Sequence, residues 1–182
     1  LFIEQDELPK DTKAFMYGRV VNKKARHNLC FGYESQEPDY ENGKGRIVAF
    51  KDVPLLEHIR QKLGDIIGEK GKDLVCEGNY YYDAKKCFIG AHGDSERMRV
   101  VGVRLGADFP LFYQWYRKNE IVSERYYTVL GHGDLYIMSE KSVGQDWKRN
   151  SIYTLRHSAG TDEALGLIKK EKKKKSPKKK EE

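Results

Sequence analysis

The sequence predicts a mainly β domain whose strands close into a sandwich or barrel. Runs rich in β-branched and aromatic residues recur through most of residues 14–159, a composition that suits a pleated, half-buried surface. Gly, Asn and Asp separate these runs at short intervals, as turns require. Only the stretch 53–67 repeats its apolar residues at helical spacing.

Taken in order, the first strands are "GRVVN" (18–22) and "GRIVAF" (45–50). The helix follows, with Leu55, Leu56, Ile59, Leu63, Ile66 and Ile67 as its apolar stripe and Gly68 and Gly71 as its stop. Seven more strands are expected: "DLVCEGNYYY" (73–82), "KCFIGAH" (86–92), "RVVGVRLG" (99–106), "LFYQWYRK" (111–118), "ERYYTVL" (124–130), "DLYIMS" (134–139) and "SIYTLRHSA" (151–159). One domain over 1–166 is expected, followed by a lysine-rich tail over 167–182.

The net charge of +6 belongs to that tail. From Lys169 onward there are nine lysines and three glutamates, so residues 1–168 sum to zero. Nearly uniform Lys and Glu cannot bury a core, and disorder is expected there. A nuclear-localisation or phosphate-binding segment is the functional alternative, with Ser176-Pro177 as a phosphorylation point. The chain opens at Leu1 rather than Met, which suggests a start trimmed from something longer. No apolar run reaches membrane-spanning length. Cys30, Cys76 and Cys87 are odd in number and form no Cys-x-x-Cys, so reduced thiols in an intracellular protein are expected; a monomer is also expected.

The tripeptide His-Gly-Asp occurs twice. A mononuclear non-haem iron site needs two imidazoles and a carboxylate on one side of the metal. His92 and Asp94 end an apolar strand, where residues i and i+2 point the same way, so they are the candidate ligands. His132 and Asp134 lie between Gly131 and a following strand, where a tight turn is expected. His27 and His58 read as surface or structural residues. The aromatic strand "FPLFYQWYRK" reads first as core, with stacking surfaces for a base as the alternative.

The segment "EGNYYYDAKKCFIGAHGDSER" resembles the AlkB branch of the Fe(II)- and 2-oxoglutarate-dependent dioxygenases, and "YGRVVNKKARHNLCFG" is similar to that family's substrate-side segment. The likeness covers roughly residues 17–160. It implies a double-stranded β-helix of the jelly-roll kind with one or two packed N-terminal helices. It also implies Fe(II), 2-oxoglutarate and O2, and oxidative demethylation of alkylated bases in nucleic acid, DNA ahead of RNA. His92 and Asp94 would hold iron, Asn79 and Tyr81 would bind 2-oxoglutarate, and Glu96, Arg97, Arg26 and Phe31 would face the substrate.

Two positions depart from the pattern. The family's second histidine should fall near residues 147–148, where the chain reads "GQDWKRN". His157 in "YTLRHSAG" completes two imidazoles and one carboxylate, and Asp146 is the fallback. The family's closing Arg-x-Asn-x-Thr-x-Arg keeps only Thr154 and Arg156, so Arg104 and Arg156 compete to anchor the far carboxylate of 2-oxoglutarate. Two other functions stay open: a hydroxylase of the same fold acting on a C-methyl group or a protein side chain, and a nucleic-acid-binding barrel without catalysis.

Overall fold

A computed structural model describes residues 1–168. The lysine-rich segment from Lys169 on, with the expectations placed on it, lies outside the described residues. The chain runs α1 (Phe2–Glu7), β1 (Lys13–Met16), β2 (Arg19–Asn22), β3 (His27–Gly32), β4 (Ile47–Ala49), α2 (Pro54–Ile67) and β5 (Cys76–Tyr80). It continues with β6 (Ile89–His92), β7 (Val100–Val103), β8 (Phe109–Arg117), β9 (Glu120–Ile121), β10 (Tyr126–Leu130), β11 (Leu135–Met138), α3 (Glu140–Val143) and β12 (Thr154–Ala159).

The protein is mainly β, as its composition predicts. Five strands form a curled half-barrel in the order β10-β8-β12-β6, with β9 also on β8. Strands β7 and β11 pair separately, and β4-β3-β5 makes a three-stranded sheet. The concave face of the half-barrel buries Phe109, Leu111, Leu130 and Ala159, with Tyr81, Ile89, Tyr113 and Tyr136 packed against them. A second core of Leu29, Phe31, Phe50 and Val53 lies where β3 meets the start of α2. No helix among the described residues is long and apolar enough to cross a membrane, and all three cysteines are unpaired.

Each expected strand is present; all are trimmed to the residues that pair except β8, which starts two residues earlier than expected, at Phe109. Strands β1, β3 and β9 escape the sequence reading. The β8–β9 hairpin turns on Lys118 and Asn119, both at positive φ (52° and 65°). That geometry usually advertises itself with glycine, which is absent here.

Helix α2 corrects one expectation. Leu55 and Ile66 of its apolar stripe are 50% and 65% exposed, while Arg60 is 8% exposed. The Arg60 guanidinium lies 4.2 Å over the Phe50 ring, bonds Glu57 through Nε and Nη2 (2.6 and 3.0 Å), and donates to the Leu74 carbonyl (3.2 Å). A flat, fully hydrogen-bonded cation can replace an aliphatic side chain against an aromatic ring.

Candidate metal centre

Strand β12 lies between β6 and β8, and its register sets His157 directly opposite His92. The same register sets Ala159 opposite Ile89. His157 and Ala159 are two residues apart and share the concave face, whereas Ile89 and His92 are three apart. Regular alternation would send those two to opposite faces. A bulge in this pair absorbs the extra residue, so both point inward. Re-aiming a side chain in this way is a common use of bulges beside functional sites.

Asp94 reaches the same point from just beyond the end of β6. Its backbone N–H donates to the Val143 carbonyl at 3.0 Å. Helix α3 starts on the Ser139 side-chain cap and ends at Gly144, whose φ of +75° closes the turn. The loop after it lies hard against Gly93. A Cβ built on Gly93 would meet the Gly144 carbonyl oxygen at 2.3 Å and Trp147 Cβ and Cγ at 2.6 Å. The indole N–H of Trp147 donates to Ser95 Oγ at 3.0 Å, tying the far side of the loop. The residue between the histidine and the aspartate therefore has to be glycine for steric reasons.

His92 Nε2 lies 3.5 Å from Asp94 Oδ1, and His157 Nε2 lies 3.8 Å from Asp94 Oδ2. The two imidazole rings are 4.3 Å apart between centroids. One ligand atom from each residue falls within 4.8 Å of the other two, a group able to hold a metal ion. Ligand atoms sharing a metal at about 2.1 Å sit about 3.0–3.4 Å apart. The carboxylate-to-imidazole separations of 3.5 and 3.8 Å need to close by less than about an ångström.

His92 Nδ1 lies 2.8 Å from the Gly90 carbonyl. In the neutral ring that contact keeps the proton on Nδ1 and leaves the Nε2 lone pair for a cation. Burial acts to lower the His92 pKa, but the bonds to Asp94 and Gly90 outweigh it and hold the value above the ordinary one. Burial, then the neighbouring His92, pushes His157 down to about 4, so it is neutral at pH 7. Burial raises the Asp94 carboxyl, yet His92, Arg97 and His157 together hold it below the usual range. A neutral His157 and an ionised Asp94 are ready ligands, and a divalent cation would have to displace the proton that Asp94 favours on His92.

The other predicted residues separate into groups. Asp146 pairs with Lys141 at 2.6 Å and is not part of the metal-ligating group. Tyr81 enters the half-barrel and packs 4.5 Å from Phe109. Asn79 is exposed, and its Oδ1 accepts from Arg26 Nε and Asn28 Nδ2, both at 2.7 Å. Arg104 lies over the Phe109 and Tyr81 rings at 5.1 and 5.6 Å, with its Nε buried and unbonded. Arg156 alternates with His157 and faces the opposite side of β12, over Tyr116 and Trp147, donating to Asn119 at 2.6 Å.

Phe31 is corrected outright. It is 7% exposed inside the β3 core, because it shares a strand face with buried Leu29. Arg97 is not a free rim residue: it bonds Glu77 at 2.9 Å and approaches Asp94 at 3.4 Å. Its guanidinium steadies the carboxylate from behind, a role that its neighbours in sequence do not reveal. Glu96 is exposed, its carboxylate 3.9 Å from Arg97. His132 and Asp134 form a turn, as expected. The His132 ring accepts from the Gly106 N–H at 2.9 Å, and Asp134 accepts from the Gly131 N–H at 2.7 Å.

No protein-family model matches the chain. Over 152 residues it is 55% identical to "Uncharacterized protein R156" of Acanthamoeba polyphaga mimivirus, a match covering 84% of this chain and 59% of the viral protein. The chain therefore spans less than two thirds of that relative's length.

Proposed function

We propose that this chain is an Fe(II)- and 2-oxoglutarate-dependent oxygenase of the AlkB kind that acts on an alkylated base in nucleic acid. One observation carries the reading: two imidazoles and one carboxylate, distant in sequence, converge at the end of a curled sheet. Strand order supports a double-stranded β-helix. From β6 the chain crosses to the β7–β11 pair, returns for β8 and β10, crosses again for β11 and returns for β12. Such alternation between two sheets is the habit of jelly rolls.

The donor set suits ferrous iron, since three protein ligands on one side leave positions open. The interior suits a dicarboxylate. Arg104 carries a buried guanidinium nitrogen without a partner, and a buried cationic donor left unbonded is costly. An acid end seated between Arg104 and Tyr81 would satisfy it. Bound there, Fe(II), 2-oxoglutarate and O2 would supply oxidation of a C–H bond, with the cosubstrate leaving as succinate and carbon dioxide.

The chain's own share is placement and shielding. Gly90 and Arg97 fix the orientation of His92 and Asp94. Phe109, Leu111 and Ala159 keep the floor of the half-barrel apolar. Glu96, exposed beside Arg97, and Arg26 are the side chains that would meet a base turned out of its stack.

Adding Fe(II) and 2-oxoglutarate without oxygen should produce a weak visible charge-transfer band, lost in His92→Ala. In air, succinate and formaldehyde should appear with methylated oligonucleotides. Absence of both band and succinate would overturn the proposal, and succinate without formaldehyde would move it to a stable hydroxylation. Arg104→Met should weaken cosubstrate binding by roughly 10- to 100-fold, the worth of a charge-assisted pair. The same loss in Arg156→Met instead would reassign the anchor.

A further inference from the structure

An aromatic and cationic surface on β3 and β5 takes no part in the metal centre. His27 is the register partner of Tyr80 on the adjacent strand. The Tyr82 ring stacks on His27 with centroids 4.5 Å apart and planes inclined by 25°. Tyr80 follows at 6.3 Å from His27, inclined by 31°. Tyr80 and Tyr82 are 39% and 44% exposed, so two of the three rings offer substantial surface to solvent. Burial and the nearby Lys23 charge lower the His27 pKa, which favours a neutral ring at pH 7.

Cations frame this stack. Lys10 Nζ lies 4.7 Å over the Tyr80 ring. The segment "KKAR" (23–26) leads directly into His27 and is tied to the stack by Tyr82, whose hydroxyl donates to the Lys24 carbonyl at 2.8 Å. Two nearby carboxylates are already engaged. Asp11 accepts from the Tyr40 hydroxyl and the Arg46 N–H, both at 2.7 Å, and Asp83 pairs with Lys86 at 2.6 Å. Residues 1–168 carry no net charge, so this concentration of positive charge is local. Planar rings beside cations match a polymer of planar bases joined by phosphates, and a flexible single strand can present both together.

We propose that this face binds single-stranded nucleic acid, with bases extending the His27–Tyr82 stack and phosphates along Lys10, Lys24 and Arg26. The inference rests on the nucleic-acid part of the reading above and adds where the strand flanking the target lies. Arg26 is held against β5 by its bond to Asn79, next to Tyr80.

The test uses the full chain without iron and the fluorescence anisotropy of a labelled, unmodified single-stranded oligonucleotide. Tyr82→Ala and His27→Ala should each weaken binding about tenfold, the usual loss when a stacking ring is removed. Tyr82→Phe, which keeps the ring, should retain binding. Lys10→Gln should flatten the dependence of log K on log salt by about 0.7. Unchanged binding in folded Tyr82→Ala and His27→Ala proteins would overturn the proposal. So would tighter binding of duplex than of single strand, or binding of anionic phosphatidylserine vesicles with the same variant sensitivity and none of the oligonucleotide. Because the assay contains no iron, a chain that binds the strand but releases no succinate would sink the oxygenase reading and leave this inference standing.

Discussion

Replacing Gly93 by alanine tests the steric logic of the metal centre. The added methyl would sit 2.3 Å from the Gly144 carbonyl oxygen and 2.6 Å from Trp147. The first neighbour is backbone, held by the turn that closes α3, so it cannot swing aside as a flexible side chain would. The loop carrying Asp94 must lift instead. Overpacking of this kind costs about 1–3 kcal/mol. Lifting also endangers the bonds from Asp94 N to Val143 O and from Trp147 Nε1 to Ser95 Oγ, each worth about 0.5–1.5 kcal/mol. The sum is about 2–6 kcal/mol, a fall in Tm on the order of 10 °C for a chain of this size. Circular-dichroism melts would read the stability, and titration with Co(II), followed by its visible spectrum, would read the displaced carboxylate as weaker binding. Gly90→Ala is the control, because a methyl there meets nothing within 4 Å. If Gly93→Ala melts within a degree or two of the parent and binds Co(II) equally well, the tight packing is not what positions Asp94.

Further predictions concern the buried charges. His157 is held down to about 4 from an ordinary 6.5. The unfolded chain therefore takes up a proton that the folded one refuses, and stability present above pH 6.5 is lost as pH falls towards 4, on the order of 3 kcal/mol. His92 is raised, so its contribution is complete below 6.5 and is lost as pH climbs through its folded value. Urea midpoints of the metal-free protein should peak near pH 6.5; a flat profile from pH 7 to 4.5 would contradict this. Arg60→Ala should cost about 2–4 kcal/mol by urea unfolding, because it strips Glu57 of its partner and uncovers Phe50. Arg60→Lys should recover less than half of that, since an ammonium cannot lie flat on the ring and bond Glu57 through two nitrogens; a loss under about 1 kcal/mol in the alanine variant would refute the reasoning.

Several features were legible because they are local. The second His-Gly-Asp reads as a turn from its flanking glycines, and the Gly131 and Gly106 N–H bonds make it one. His92 and Asp94 read as a ligand pair from two-residue spacing at a strand end. His157 is harder to find, because similarity to the AlkB pattern points to residues near Trp147. That stretch instead packs on Gly93 and braces the pair from outside. Choosing between Arg104 and Arg156 needed a face, and once His157 points inward, alternation turns Arg156 outward. Phe31 lies in a segment that resembles a substrate-side motif, yet its position on β3 puts the ring in the core. Arg60 broke the expected helix stripe because only the neighbouring Phe50 ring and Glu57 make a buried cation tolerable.

By itself, the sequence determined the β-rich class, the position of the long helix, the turn at Gly131–Asp134 and the concentration of the excess charge beyond residue 168. These depend on composition and on periods of two or four residues, which a chain carries whether or not it is folded. Tertiary structure decided that His157 meets His92, that a bulge turns both inward, that Gly93 tolerates no methyl, and that Arg97 serves Asp94. Each of these depends on strand register and on backbones pressed together from distant parts of the chain. A shift of one residue in that register would send the same side chains to the other face.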